Sequence, residues 1–351
     1  MRPFDPLFRN AHLATIAGNF WKRPELESRW PVTDAHYEPE PGVRVLVRVQ
    51  HPDPGRAQND HANDDRARED SLPQGEVILV HGLEGSSESG YALSMAAAAL
   101  EAGFVVHRFN MRGCGASPWH PHANYHSGQT GDLLFVARER KRASGLPLFA
   151  VGYSLGGNVV LKLAGELGEE GGAVFDGVCA VSAPIDLAAG ADALARRSNV
   201  IYQRRFLKRL KERVRKRHPL APEMYPLGPL AEVKTIRDFD HQYTAKLFGF
   251  GTADRYYQTQ SSRQFLEHIR IPTLLVHAKD DPMVPFSCYE HPALHANPHV
   301  RLLAVEHGGH LGFLARGPRR FWLDHLIRDW LIQTRKLAAD AGTAVRTPAA
   351  R

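Results

Sequence analysis

Leu148-Phe149-Ala150-Val151-Gly152-Tyr153-Ser154-Leu155-Gly156-Gly157-Asn158-Val159-Val160-Leu161-Lys162-Leu163-Ala164-Gly165-Glu166 reads as a buried strand, a sharp turn and a helix, with a serine at the apex. A G-x-S-x-G string in that context is a nucleophile elbow. The apex residue must adopt a strained backbone so that its hydroxyl stands above the sheet. Glycine is needed two residues before and two after it, because a Cβ there would strike the crossing strand and helix. The helix that follows aims its N-terminus at the turn, which favours negative charge developing beside Ser154. The same string without partners elsewhere in the chain would be an ordinary strand-to-helix turn.

A serine hydroxyl is a poor nucleophile at neutral pH and needs a histidine to take its proton and a carboxylate to orient that histidine. Downstream, the apolar run Pro272-Thr273-Leu274-Leu275-Val276-His277-Ala278 ends at Lys279-Asp280-Asp281-Pro282-Met283-Val284-Pro285. A buried parallel strand followed by acids puts a carboxylate at the strand's C-terminal end, where sites in α/β sheets are built. The D-x-x-V-P spacing favours Asp281, with Asp280 the alternative. A further strand, Val300-Arg301-Leu302-Leu303-Ala304-Val305, runs into Glu306-His307-Gly308-Gly309-His310. Two glycines let that loop approach the elbow. His310 is the candidate base by position, and His307 competes with it. Upstream, the strand Glu76-Val77-Ile78-Leu79-Val80 ends in His81-Gly82-Leu83-Glu84-Gly85. This loop can supply one backbone N–H to an oxyanion hole and the residue after the nucleophile the other, which nominates Leu83 and Leu155.

With these pieces in order, the chain resembles the α/β-hydrolase superfamily, and within it the YheT-like branch. The closer resemblance rests on Phe4-Asp5-Pro6-Leu7-Phe8-Arg9-Asn10-Ala11-His12-Leu13-Ala14-Thr15-Ile16 and on Asn110-Met111-Arg112-Gly113-Cys114-Gly115. It rests also on Asp238-Phe239-Asp240, Phe248-Gly249-Phe250 and Tyr256-Tyr257, and it spans about residues 4–335. It implies a carboxylic-ester hydrolase whose eukaryotic relatives include lipid-handling esterases and acyltransferases. Some relatives carry an H-x-x-x-x-D acyltransferase motif; here no histidine has Asp five positions on.

At 351 residues, the chain accommodates one α/β domain with an insertion, and the strand and helix signals run on without a break. The fold expected over 1–337 is a mostly parallel central sheet flanked by helices, with a helical lid inserted at about 186–265. Residues 51–75 are polar and rich in Asp, Asn, Arg and Pro, predicting a long mobile loop. The small, polar tail over 338–351 is expected to be disordered. Cys114, Cys179 and Cys288 have no metal spacing and read as reduced structural residues, and no C-x-x-C or H-E-x-x-H pattern points to a metal. No cofactor is expected. The chain opens without an apolar leader, and no apolar stretch approaches the length of a membrane span, so a cytoplasmic location is expected.

Charge is uneven. Residues 196–217 hold eleven Lys or Arg against Glu212, a net +10 within a chain of +6, so the remainder is about −4. Phe206, Leu207, Leu210 and Val214 recur there at helical spacing, giving a basic amphipathic helix inside the expected lid. No base-stacking or recognition module accompanies it, and nucleic-acid binding is not expected. A solvated lid helix accounts for it, and weak contact with an anionic membrane surface is the sharper alternative. The overall expectation is a serine hydrolase acting on small or lipid-like acyl esters through an acyl-enzyme, with Ser154, His310 and Asp281 as its triad. An acyltransferase using the same acyl-enzyme, and a scaffold that binds without chemistry, are the alternatives.

Overall fold

The computed structural model describes residues 3–23, 26–53, 73–117, 120–121 and 123–345, with side chains to residue 340. One eight-stranded sheet runs in the order β1-β2-β4-β3-β5-β6-β7-β8. Its strands are β1 Val32–Glu40, β2 Val43–Gln50, β3 Gly75–Val80, β4 Phe104–Phe109, β5 Leu148–Tyr153, β6 Gly177–Val181, β7 Thr273–Ala278 and β8 Val300–Val305. β1 and β2 form an antiparallel hairpin that joins the edge of β4, and every pairing from β4 to β8 is parallel.

All residues of β3, β4, β5, β6 and β7 are buried. Helices cover both faces of a parallel sheet, so its central strands are continuous apolar runs and not alternating ones. The two-residue period still sorts their side chains. Ile78, Val80, Leu148 and Ala150 enter one core layer, with Leu133 and Val136 of α3 (Gly131–Ser144) and Val159, Val160 and Leu163 of α4 (Leu155–Leu167). Val77, Leu79, Phe149 and Val151 enter the other layer. There they meet Met95 and Ala99 of α2 (Gly90–Glu101) and Leu326 and Ile327 of α8 (Trp322–Val345).

The predicted mobile loop over 51–75 falls largely on residues 54–72, outside the described residues. The tail does not fray at 338, because α8 continues to Val345. Ala338, Ala339, Ala341 and Ala344 are strong helix formers, so the small-residue run extends the helix. Residues 346–351 lie outside the described residues.

Between β6 and β7 the chain leaves the sheet and builds a helical segment over its C-terminal edge. It contains α5 (Leu187–Leu194), α6 (Val200–Arg217), a π-turn at Asp240–Thr244 and α7 (Ala253–Gln260). α6 is the basic helix. Its Leu207, Leu210 and Val214 are buried against Tyr225, Ile236, Phe239 and Tyr243. Arg213 and Arg217 lie in that same stripe, so the solvated basic helix expected from the sequence is in fact packed along part of its charge. Arg217 is buried and donates to Ala123 O at 2.8 Å. Arg213 pairs with Glu84 at 2.7 Å and stacks over the Tyr125 ring.

Candidate active site

Ser154 sits between β5 and α4 with φ 52° and ψ −119°, a conformation that L residues rarely adopt. The turn is fixed by close approach. A Cβ on Gly152 would lie 2.2 Å from Gly156 O, and one on Gly156 would lie 2.4 Å from Val80 O. The Ser154 N–H donates to Val181 O at 2.8 Å. The hydroxyl is left to face His310, whose Nε2 lies 3.0 Å from Ser154 Oγ.

The imidazole is held from behind. His310 Nδ1 lies 2.8 Å from Asp281 Oδ2, while Asp281 Oδ1 accepts the Met283 N–H at 2.8 Å and the Val284 N–H at 3.0 Å. Burial alone would push this carboxyl up, but the adjacent imidazole and the hydrogen bonds it receives outweigh that, so it is held below the ordinary carboxylate range. Asp281 therefore stays ionised, its partners require Nδ1 of His310 to carry the proton, and Nε2 is free to accept from Ser154.

The competing pair has a different position. His307 Nδ1 lies 3.2 Å from Asp280 Oδ2, and Asp280 Oδ1 accepts the Gly309 N–H at 2.9 Å. Asp280 thus fastens the loop that carries His310 and touches neither Ser154 nor His310. The N-terminal helix α1 (Ala11–Phe20) supports the same loop: Thr15 Oγ1 accepts the His310 N–H at 2.8 Å. A Cβ on Gly309 would stand 2.4 Å from Ala11 O, so the second glycine before His310 is required by helix contact as well as by its φ of 58°.

The backbone N–H of Leu83 has no hydrogen-bond partner among the described residues, and Leu155 is the first residue of α4. The first N–H groups of a helix have no intrahelical acceptor. The Leu83 loop is clamped on every side. Glu84, at φ 54°, donates its N–H to Tyr125 OH (3.0 Å), its carbonyl accepts from Arg209 (3.1 Å), and its carboxylate pairs with Arg213. Sequence reasoning missed this clamp, although Arg213 and Arg217 share the helical face of Phe206 and Leu210, a spacing that points to burial and not to solvent.

His81 secures the other side of the loop. Its Nε2 accepts the Met111 N–H at 3.1 Å, so Nδ1 carries the proton and donates to Gly82 O at 2.7 Å. Burial pushes its pKa down from 6.5 to about 4, so the ring is neutral in the folded protein. Between those two pH values the unfolded chain binds a proton here that the folded chain does not. Stability therefore declines as pH falls from 6.5 towards about 4, by up to about 3 kcal/mol from this residue. In His81→Asn, the pH dependence of the urea midpoint over that window should lose about one proton of slope. An unchanged slope would mean that His81 is charged in the folded state.

A cavity opens onto Ser154 and His310 beneath the helical segment, and Leu155, Leu187, Phe206, Phe239, Tyr243 and Met283 line it. The lining is apolar apart from a few groups, Glu84, His126 and Asp240 among them. Burial pushes the Asp240 carboxyl up to about 6 despite hydrogen bonds from Tyr257 and Thr244. Among the described residues, no three His, Cys, Asp or Glu side chains cluster as metal ligands. Cys114, Cys179 and Cys288 are all unpaired thiols.

Residues 76–316 match the family model described as the alpha/beta hydrolase fold. The chain is 37% identical to the Escherichia coli (strain K12) protein YheT over 260 residues, which cover 73% of this chain and 76% of that protein. This chain belongs to the α/β-hydrolase family, in its YheT-like branch. It is also 30% identical over 276 residues to the Saccharomyces cerevisiae medium-chain fatty acid ethyl ester synthase/esterase 2, covering 70% of this chain and 59% of that protein. Among solved structures, the Pyrococcus furiosus esterase Pf2001 superposes with a TM-score of 0.56 at 15% identity, over 90% of this chain and 96% of that one. At that identity the likeness extends to the fold alone. No described helix is long and apolar enough to cross a membrane.

Proposed function

We propose that this α/β-hydrolase cleaves carboxylic acyl esters through an acyl-enzyme on Ser154. The observation that carries this reading is the unbroken hydrogen-bonded chain Ser154–His310–Asp281 at the mouth of an apolar cavity. Ser154 Oγ attacks the ester carbonyl while His310 Nε2 takes its proton. The tetrahedral oxyanion is received by the N–H groups of Leu83 and Leu155; losing one such donor typically costs about 10²–10³ in rate. His310 then gives the proton to the leaving alcohol, and Asp281 stabilises the transient imidazolium without itself being protonated. Water attacks the acyl-enzyme with His310 again as base, releasing the carboxylic acid and restoring the serine.

The apolar lining suits the acyl chain of a lipid-like ester. Each methylene it buries is worth about 0.8 kcal/mol, so kcat/KM for p-nitrophenyl esters should climb roughly fourfold per added methylene until the cavity is full. A series from acetyl to palmitoyl, run with wild type and Ser154→Ala, tests both parts of the proposal. A flat series would refute the acyl pocket, and undiminished turnover by Ser154→Ala would refute the mechanism. A second reading, transfer of the acyl group to an alcohol, is favoured by the name of the yeast relative, which joins synthase to esterase. Product partitioning between acid and ethyl ester as ethanol is raised distinguishes the two.

A further inference from the structure

α1 has an unusual surface. Its sequence, Ala11-His12-Leu13-Ala14-Thr15-Ile16-Ala17-Gly18-Asn19-Phe20, contains no Asp, Glu, Lys or Arg. A helix apolar all round normally lies buried. Here Ala14, Thr15 and Gly18 pack inward, while the opposite face presents Leu13 (54% exposed), Ile16 and Phe20 (79% exposed), with Trp21 just beyond. His12 Nδ1 lies 3.0 Å from Tyr202 OH with the two rings stacked, which seats the first turn of α6 beside α1. In that turn Val200 and Ile201 (66% exposed) also face solvent. Around them Arg196, Arg197, Arg204, Arg205 and Lys208 are exposed. Neither 9–23 nor 193–211 contains an Asp or Glu.

Protruding leucine, isoleucine, phenylalanine and tryptophan beside arginines, with no carboxylate in either segment, are the composition of an interfacial surface. We infer that the α1–α6 face docks this protein on anionic lipid bilayers. The apolar side chains enter the boundary between headgroups and acyl chains, and the arginines meet lipid phosphates. A second copy of this chain is a poorer occupant, because a two-fold interface would set this cationic face against itself. Arg213 is withdrawn from the surface by its pairing with Glu84, and Arg209 and Lys211 are tied back to the carbonyls of Glu84 and Val233. The contact does not depend on what Ser154 does, yet it would place the bilayer beside the His310 loop, which α1 supports.

Vesicle flotation tests the inference without reference to catalysis. The full-length protein is mixed with vesicles of phosphatidylcholine alone or of phosphatidylcholine with phosphatidylglycerol, at low and high salt. Wild type should partition at least about tenfold more strongly onto the anionic vesicles and lose that advantage as salt rises. Leu13→Gln/Ile16→Gln/Phe20→Gln and, separately, Arg204→Glu/Arg205→Glu should each weaken partitioning about tenfold or more while leaving hydrolysis of a soluble ester unchanged. If the triple change unfolds the protein, Phe20→Gln at the most exposed position gives the same comparison. Absence of anionic-vesicle binding by wild type, or equal binding by wild type and variants, would overturn the inference. So would a wild-type dimer that the apolar variant splits into monomers while neither form binds vesicles.

Discussion

Ser154→Ala should lower kcat on a p-nitrophenyl ester by roughly 10⁶, the loss typical when the nucleophile of such a triad is removed. The residual rate should still exceed that of water, because the cavity and the N–H groups of Leu83 and Leu155, the proposed oxyanion donors, remain. The protein should stay folded. The Ser154 hydroxyl has His310 as its hydrogen-bond partner, and a single hydrogen bond contributes only about 1 kcal/mol to stability. The thermal midpoint measured beside the kinetics separates lost chemistry from lost structure. A folded variant that retains turnover would remove Ser154 from the mechanism.

His310→Ala should be as damaging as Ser154→Ala, and the double variant should be little worse than either alone, because the two groups act as one unit. His307→Ala should cost less than about tenfold, since that ring contacts Asp280 and not the serine. The acids should separate in the same way. In Asp281→Asn, the Met283 and Val284 N–H groups require an acceptor and hold the amide oxygen where Oδ1 stood. The amide nitrogen then faces His310 Nδ1 as a donor and drives the ring proton to Nε2, where it can no longer accept from Ser154. Such a tautomer error costs about 10⁴ in kcat. Asp280→Asn keeps an acceptor for the Gly309 N–H and should lose far less. Steady-state kinetics on the four single variants checks the ranking, and a reversal within either pair would transfer that role to the neighbouring residue.

The elbow was legible because its physical demands leave so few alternatives: a buried run, glycines at two fixed offsets and a helix-forming sequence beyond. The parallel strands were legible for a similar reason, since only a sheet covered on both faces tolerates runs such as Leu274-Leu275-Val276. Adjacent acids were harder. Asp280 and Asp281 differ by one position, and what separates them is the direction each side chain takes at the end of β7, which depends on the His310 loop far along the chain. The Glu84–Arg213 clamp joins residues remote in sequence, and the density of charge around Arg213 concealed the helical phase that buries it. α1 was hidden for the opposite reason: nothing local distinguishes an apolar helix that is buried from one left facing solvent. The continuation of α8 through its alanines shows that small residues near a terminus extend a helix as readily as they end one.

The central claim is that Ser154 is the nucleophile, made reactive by His310. It is tested most directly by treating the protein with a fluorophosphonate and identifying the modified peptide by mass. The expected result is one adduct per chain on Ser154, formed at least about 10³ times more slowly in His310→Ala and absent in Ser154→Ala. An adduct on any other residue, or an unlabelled protein that still hydrolyses esters, would contradict the account.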